Sequence, residues 1–146
     1  MITGEFKVSL DEKGRIILPT KVRAHFDDLS LVLTQGVDTC LWIFSPDEWD
    51  RVTRDLMEST SRFQARTRLL HRRIIAPAQE TEMDKTGRIT ISQTLREYAA
   101  LRKECVILGI ANYLEIWEES RYREYWLEHE NEFQDAAEEL GKVLSV

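Results

Sequence analysis

The sequence predicts an α+β fold in which two copies of one β-β-α-β-β unit share a single core. Aligned with itself at an offset of 73 positions, the chain has eight identities in the 34 positions from 11 to 44, whereas unrelated sequence has about two. A unit of about 45 residues rarely buries a sufficient core alone. With their helical extensions, the copies are therefore expected to pack together as residues 1–75 and 76–146.

Each copy shows the same order of strand, turn and helix signals. In the first copy, residues 6–10 alternate apolar and polar, 11–14 resemble a tight turn and 15–18 resume a strand, which predicts a β-hairpin. Pro19 suits the first turn of a short helix, and a second hairpin follows. The other predicted elements are strands at 31–33, 40–44, 81–83, 88–91, 104–108 and 113–117, a turn at 84–87 and a helix at 93–99.

The two copies end in different helical extensions. Ser45-Pro46-Asp47-Glu48 combines a helix cap, a proline at the first helical position and a capping-box glutamate, which predicts a helix from 46 to about 58. Apolar residues at helical spacing predict a second helix that is closed by Pro77. From Ser120 onward, the pattern predicts one long amphipathic helix with an acidic outer face, and Gly141 is its expected stop.

Charge is divided unevenly along the chain. The net charge is −6, and residues 118–146, with 3 basic and 9 acidic side chains, account for all of it. Between Arg51 and Arg73 there are seven arginines and two acids. The helix around 62–73 is therefore basic, and two interpretations stay open. It contacts DNA, or it is a solvated face that pairs with the acidic tail.

The composition argues against several classes of protein. No run of 18 apolar residues predicts a membrane span and no signal-peptide pattern is present, so we expect a soluble cytoplasmic protein without a membrane partner. Cys40 and Cys105 have apolar neighbours and the three histidines are scattered, which favours neither a disulfide framework nor a metal site. Because no catalytic or phosphate-loop motif is present, we expect a non-enzyme with no cofactor and no small-molecule substrate.

The motif Asp-x-x-Gly-Arg occurs once in each copy, at Asp11–Arg15 and Asp84–Arg88. One interpretation is structural, since Asp accepts hydrogen bonds from turn amides, Gly adopts positive φ and Arg pairs with the Asp. The other is functional, because a turn requires no arginine and each tip also carries a lysine, Lys13 or Lys85. Arginine binds both phosphate and guanine bidentately, so such tips suit DNA.

Longer stretches around the two motifs share the pattern of one known family. These stretches are Met1–Phe6, Leu10–Arg23, Met83–Ile89, Leu95–Ala99 and Leu114–Trp117. Over nearly its whole length the chain thereby resembles the MraZ family. It departs from the family pattern at Ser92-Gln93, where members often carry proline.

The resemblance to the MraZ family implies both a fold and a function. The fold is an AbrB-like swapped hairpin repeated twice per chain, forming one compact β-barrel-like domain with added helices. The function is that of a bacterial transcription factor that assembles into ring-shaped homo-oligomers. Such a factor acts on the promoter of the division and cell-wall gene cluster through short direct repeats.

A sequence-specific DNA-binding regulator at the nucleoid is thus the expected function, with double-stranded promoter DNA and further copies of the chain as partners. The alternative is a ring-forming assembly or adaptor protein that binds other proteins and not DNA, which the acidic net charge favours. The candidate residues are Lys13, Arg15, Lys85 and Arg88 at the tips, Asp11, Gly14, Asp84 and Gly87 in the turns, and Lys7, Lys21 and Arg23 for phosphate contacts.

Trp42 is the candidate residue for a subunit interface. In the strand at 40–44 both faces are apolar, whereas the second copy has Glu115 at the position that matches Trp42. Two interpretations of Trp42 stay open: the tryptophan lies beneath the helix that begins at Pro46, or it packs against a neighbouring subunit.

Overall fold

A computed structural model describes residues 1–144 of the chain. Within them, the first repeat contains four strands and three helices, and the third helix runs directly into a π-helical turn. The second repeat contains four more strands, a short helix and one long helix. In chain order the elements are β1 (Ile2–Ser9), β2 (Arg15–Ile17), α1 (Thr20–Arg23), β3 (Ser30–Gln35), β4 (Leu41–Phe44), α2 (Pro46–Ser59), α3 (Ala65–Leu70), the π-helical turn (His71–Ile75), β5 (Gln79–Glu82), β6 (Arg88–Thr90), α4 (Gln93–Tyr98), β7 (Glu104–Ala111), β8 (Tyr113–Glu118) and α5 (Glu119–Leu144).

The strands form a six-stranded antiparallel sheet in the order β1-β7-β8-β4-β3-β5 and a two-stranded ribbon of β2 and β6. The predicted second hairpins are confirmed, because β3 pairs with β4 and β7 pairs with β8. All other pairs join one repeat to the other: β1 to β7, β3 to β5, β4 to β8 and β2 to β6. The two repeats therefore build one structure together and cannot be separated without breaking strand ladders.

The predicted first hairpin of each copy is wrong as a local strand pair. After the turn at 11–14, β2 leaves β1 and pairs with β6, and among the described residues its strand pairing with the segment before the turn is a single isolated bridge between Leu10 and Ile16. In the second copy β5 likewise pairs with β3, while β6 pairs with β2. Pairing across the copies sets Ile16 opposite Ile89, and both side chains are almost fully buried. Apolar burial thus accompanies the exchange of strands.

The expectation of a barrel-like domain is also wrong, because the main sheet of the described chain does not close. Within residues 1–144 the six-stranded sheet is open, with β1 and β5 as its edges, and the β2–β6 ribbon forms a separate ladder. β2 and β6 have three residues each and form their ladder with each other. They therefore do not extend the ladder of either edge strand. The ribbon instead lies across the core on one face of the sheet.

The main core fills the space between the sheet and the ribbon. The short helices α1 and α4 close it, since Val22 and Leu95 are fully buried at equivalent positions of the two repeats. A smaller cluster lies on the other face of the sheet, where Trp117 packs with Tyr122 and Tyr125 at the start of α5. The sheet contributes four further side chains to this second cluster: Cys40, Trp42, Val106 and Leu108.

The predicted cap of α2 is found where the sequence indicates it, and α4 has an equivalent cap that was not predicted. The hydroxyl of Ser45 accepts a hydrogen bond from the Glu48 N–H at 3.2 Å, and α2 extends over Pro46–Ser59. Ser92 caps α4 in the same way, with 3.3 Å between its hydroxyl and the Leu95 nitrogen. A serine cap thus begins α4 at the position where the chain departs from the proline of the family pattern.

The second helical run ends at Ile75, just before Pro77 as predicted, whereas the last helix passes its predicted stop. The second helix begins at Ala65 and becomes a π-helical turn at His71, where the Ile74 carbonyl accepts a hydrogen bond from buried Thr34. The expected stop at Gly141 is wrong, because α5 continues to Leu144. A glycine ends a helix by adopting positive φ, and Gly141 is not among the positive-φ residues of the described chain. None of the helices within residues 1–144 is long and apolar enough to cross a membrane.

Candidate nucleic-acid interface

The turn at Asp11–Arg15 is closed by hydrogen bonds to one carboxylate. Oδ1 of Asp11 accepts the backbone N–H groups of Lys13 and Arg15, each at 2.9 Å. Oδ2 accepts from Nε of Arg15, also at 2.9 Å. The aspartate therefore fixes both the turn and the orientation of the guanidinium, as the structural interpretation of the motif predicts.

The turn at Asp84–Arg88 repeats this geometry. Oδ1 of Asp84 accepts the N–H groups of Thr86 and Arg88 at 2.9 Å, and Oδ2 accepts from Nε of Arg88 at 2.7 Å. The hydroxyl of Thr86 adds a further bond to Oδ1 at 2.8 Å. In both turns the Nε atom is the one that meets the carboxylate. Within residues 1–144 the terminal Nη groups of Arg15 and Arg88 have no hydrogen bond, so they are the groups available to a ligand.

The two turn carboxylates remain ionised well below neutral pH. The N–H of Arg15 is the largest cause that lowers the pKa of Asp11, and its guanidinium lowers it further, while partial burial opposes both. The pKa of Asp84 is lowered in the same way, first by the N–H of Arg88. An ionised carboxylate suits the orientation of an arginine and not general-acid chemistry.

The glycines of the two turns allow the repeats to pack closely. Gly14 has φ +78° and Gly87 has φ +84°, a region that residues with a Cβ rarely adopt. A Cβ on Gly14 would lie 2.6 Å from Nη1 of Arg96, and one on Gly87 would lie 2.5 Å from Cδ of Arg23. Each turn is thus covered by an arginine of the other repeat.

Arg23 packs against the turn of the other repeat, which the residues around it in the sequence do not indicate. Its guanidinium donates to the Thr86 carbonyl at 3.4 Å and to the Thr20 hydroxyl at 2.9 Å. The match of Arg23 with Arg96 in the internal repeat is the signal that points to this packing, since both residues cover the opposite turn. Its expected phosphate contact stays a prediction.

The ribbon brings Arg15 and Arg88 onto one surface. In the β2–β6 ladder, Arg15 lies opposite Thr90 and Ile17 lies opposite Arg88, with the buried isoleucine pair between them. Alternation places these four side chains on the outer face of the ribbon, where Ile17 is 56% exposed. Arg15 and Arg88 are diagonal neighbours, a relation for which the usual separation is about 7–8 Å. Two further backbone bonds join the ribbon across the repeats, from Leu18 N to Gly87 O and from Ile91 N to Gly14 O.

Ile17 and Thr90 share this surface with the arginines, and the sequence pattern did not indicate them as part of it. The strand signal was present, but only the register between the two copies shows which side chains share a face with the arginines. Lys13 and Lys85 are exposed in the turns at opposite ends of the ribbon.

The remaining candidate lysines lie around β1 and not on the ribbon. Nζ of Lys21 is 5.9 Å from the centre of the Phe6 ring. Lys7 is highly exposed and pairs with Glu119, at the start of α5, at 3.8 Å. The structure therefore unites the tip residues on one ribbon and brings neither Lys7 nor Lys21 onto it.

Trp42 is half-buried on the face of the sheet that the main core does not use. Its indole N–H donates to Oε2 of Glu115 at 3.1 Å, and these two residues are directly paired between β4 and β8. The other oxygen of Glu115 accepts from the indole of Trp117 at 3.0 Å. Trp42 also meets the edges of Phe44 and Tyr113, and Phe44 is the strand residue that contacts Trp49 of α2.

No cluster of three or more metal-binding side chains is present in the part of the chain that the structure describes. Both cysteines are buried thiols. Burial raises the pKa of Cys105 to about 11 and raises that of Cys40 further. Neither thiol has the thiolate character that metal binding or nucleophilic chemistry requires.

Comparison with known proteins identifies the same family as the sequence motifs. The family model described as "MraZ protein, putative antitoxin-like" matches twice, at residues 1–73 and 74–143. A protein of Treponema denticola named transcriptional regulator MraZ is 51% identical over 142 residues, which cover 97% of this chain and 99% of that protein. Its namesake in Treponema pallidum is 46% identical over 138 residues, covering 94% and 93% of the two chains. With both halves of the chain matched and its relatives covered end to end, this protein belongs to the MraZ family.

Proposed function

We propose that this protein is a sequence-specific DNA-binding transcriptional regulator that contacts DNA through the β2–β6 ribbon and its two turns. The observation that carries the proposal is the equivalent geometry of the two turns. Each holds an arginine by Nε against an ionised aspartate and leaves the Nη groups of Arg15 and Arg88 without a partner among the described residues. The relatives' name, transcriptional regulator, supports the same conclusion.

The ribbon has a suitable size and chemistry for the major groove. A two-stranded β-ribbon fits that groove, and arginine recognises the O6 and N7 atoms of guanine. The diagonal separation of Arg15 and Arg88, about 7–8 Å, corresponds to roughly two base-pair steps of about 3.4 Å. Exposed Ile17 lies opposite Arg88 on the same face and suits contact with a thymine methyl group.

Contacts to phosphate supply the register and most of the salt-dependent affinity in this proposal. Lys13 and Lys85 flank the ribbon, while Lys7, Lys21 and Arg23 are the proposed contacts further from it. Affinity that depends on Z phosphate contacts decreases with salt with a log–log slope of about −0.9Z. These residues position the protein and contribute little to base recognition.

Oligomerisation completes the proposed mechanism. One ribbon makes few contacts, so several subunits of a ring engage short direct repeats together and gain affinity through effective concentration. We propose the promoter of the division and cell-wall gene cluster as the target, at the nucleoid in the cytoplasm. Within each subunit the halves at 1–75 and 76–146 act as one DNA-binding unit; residues 145–146 lie outside the described part.

The test is fluorescence anisotropy with a duplex from the protein's own upstream region and a scrambled duplex. The double variant Arg15→Ala/Arg88→Ala should bind both duplexes equally weakly, whereas the wild type prefers the upstream one. The control is Arg54→Ala, which removes an exposed arginine of α2 that lies outside the ribbon. Wild-type binding that does not distinguish the duplexes would contradict sequence-specific recognition.

The alternative is a ring-forming adaptor that binds other proteins, which the acidic α5 helix favours. The two functions differ in their response to salt. DNA binding through several phosphate contacts weakens steeply as salt rises, while an apolar protein interface changes little. Failure to bind any duplex at low salt would favour the adaptor.

A further inference from the structure

Beyond its first turns, helix α5 carries a stripe of apolar side chains against which no other described element of the chain packs. Its first turns pack on the sheet through Tyr122 and Tyr125, which contact Trp117. Beyond them Trp126, Phe133 and Leu140 are 38%, 52% and 55% exposed. Alternating steps of four and three residues are typical of a helix seam that packs against another chain. The α5 stripe consists of Trp126, His129, Phe133, Ala136, Leu140 and Val143, which continue the spacing that begins at Tyr122.

Acidic side chains border the α5 stripe. Glu132 and Glu139 each precede a stripe residue by one position, and Glu130 follows one. Within residues 1–144, Glu119 at the start of the helix is the acid of α5 that has an ion-pair partner. The distal part of α5 therefore presents an apolar seam with uncompensated negative charge beside it.

The basic segment, residues 62–73, has the opposite character. Phe63, Leu69 and Leu70 are 89%, 64% and 40% exposed, so this segment also presents unpartnered apolar surface. The next residue after the segment, Ile74, is buried. Among the described residues, none of its arginines forms an ion pair. These arginines are Arg62, Arg66, Arg68, Arg72 and Arg73, of which Arg73 stacks on Tyr98.

We propose that the basic segment of one copy docks on the α5 stripe of the next copy. Two α5 helices packed on each other would bring two acidic borders together, which is unfavourable, whereas the basic segment matches both the charge and the apolar surface of the stripe. The interface is then head-to-tail, the type that closes into a ring when the rotation between copies allows it. The inference rests on the oligomeric part of the proposed function and gives the basic segment a protein partner instead of DNA.

Charge reversal on either side tests the proposed interface without DNA. The first variant is Arg62→Glu/Arg66→Glu and the second is Glu132→Arg/Glu139→Arg; all four positions are exposed. Light scattering after size-exclusion chromatography should show each variant alone as a smaller species than the wild type. An equimolar mixture should return to the wild-type size, because each reversed surface then meets an opposite charge. The matched control for the first variant is Arg102→Glu/Lys103→Glu, which lowers the net charge by the same amount at exposed positions outside both surfaces.

Each result has a defined meaning. An unchanged size for the first variant with a smaller size for the second would overturn the proposal in favour of packing between α5 helices. Unchanged sizes for both variants would overturn the proposed interface but not the oligomeric part of the proposed function. A monomeric wild type would contradict both. If a variant loses its far-UV helix signal, the milder Arg62→Gln/Arg66→Gln must still reduce the size.

Discussion

The guanidinium of Arg23 covers Gly87, and its Nη1 atom lies 2.6 Å from the point where a Cβ on that glycine would be. Arg96 covers Gly14 in the same manner, so each repeat closes over the turn of the other. The turns that carry the candidate DNA contacts are thereby held by both halves of the chain. Their geometry is a property of the whole two-repeat structure.

Substitution of Gly87 by alanine should destabilise the protein. The φ of +84° alone costs a residue with a Cβ about 1–2 kcal/mol, and the new methyl group must displace Arg23. Chemical denaturation should therefore show a lower free energy of unfolding for Gly87→Ala. Gly14→Ala should behave in the same way, because Arg96 occupies the equivalent space.

The matched control for this prediction is Gly141→Ala in α5. Apart from the neighbouring helix backbone, no atom of the described residues lies within 4 Å of the added Cβ, and the glycine is helical. Alanine is more favourable than glycine in a helix by roughly 0.5–1 kcal/mol, so this variant should be as stable as the wild type or slightly more stable. Equal loss of stability at Gly87 and Gly141 would refute the role assigned to the turn.

Asp84→Asn should weaken recognition more than it weakens the fold. The amide oxygen can still accept the N–H groups of Thr86 and Arg88, but the amide NH2 then faces Nε of Arg88, and because both groups are donors the bond that holds the guanidinium is lost. We expect about five- to tenfold weaker binding to the preferred duplex, with a smaller change for scrambled DNA. Anisotropy titrations with both duplexes measure this ratio, and an unaltered ratio would show that the aspartate does not position the arginine.

The turn carboxylates should also make stability depend on pH in the acidic range. The folded pKa values of Asp11 and Asp84 lie below the ordinary value of 3.8, chiefly because turn N–H groups bind the ionised form. Their contribution is therefore fully present above that value and is lost as the pH falls through the folded pKa. The difference in unfolding free energy between the wild type and Asp11→Asn/Asp84→Asn should be constant above about pH 5 and shrink below it. A difference that grows on acidification would contradict this sign.

The sequence predicted the positions of the strands much better than their partners. Alternation in a strand determines which side chains are buried, and it contains no information on which neighbouring strand provides the ladder. Because the two repeats have the same pattern, β2 could be assigned equally well to β1 or to β6. Burial of Ile16 against Ile89 accompanies the pairing that forms, and this contact joins residues 73 positions apart.

Within the candidate site, local features were predictable and long-range ones were not. The pairing of Asp11 with Arg15 follows from turn chemistry over five residues. The cover of Gly87 by Arg23 depends on the exchange of strands, so the arginine was predicted only as an exposed phosphate contact. Gly141 was misread for a related reason, since a glycine stops a helix only if the chain turns there, and α5 continues.

The last prediction concerns Trp42. Its counterpart in the other repeat is Glu115, but the single substitution Trp42→Glu is not a suitable test. Trp42 is directly opposite Glu115, so Trp42→Glu alone places two carboxylates in a cross-strand pair and should be destabilising. The double variant Trp42→Glu/Glu115→Gln removes this repulsion, and Glu115→Gln alone is the control.

If Trp42 packs against a neighbouring subunit, the double variant should be folded but smaller than the wild type by light scattering, because a buried aromatic anchor carries much of the energy of an interface. The control loses one of the two indole bonds of Glu115, because a glutamine oxygen accepts from Trp42 or from Trp117 but not from both, so it should be less stable than the wild type yet keep its fold and its size. A double variant of wild-type size would remove Trp42 from the interface. An unfolded one would show that Trp42 serves its own chain, through its contacts with Phe44 and Tyr113.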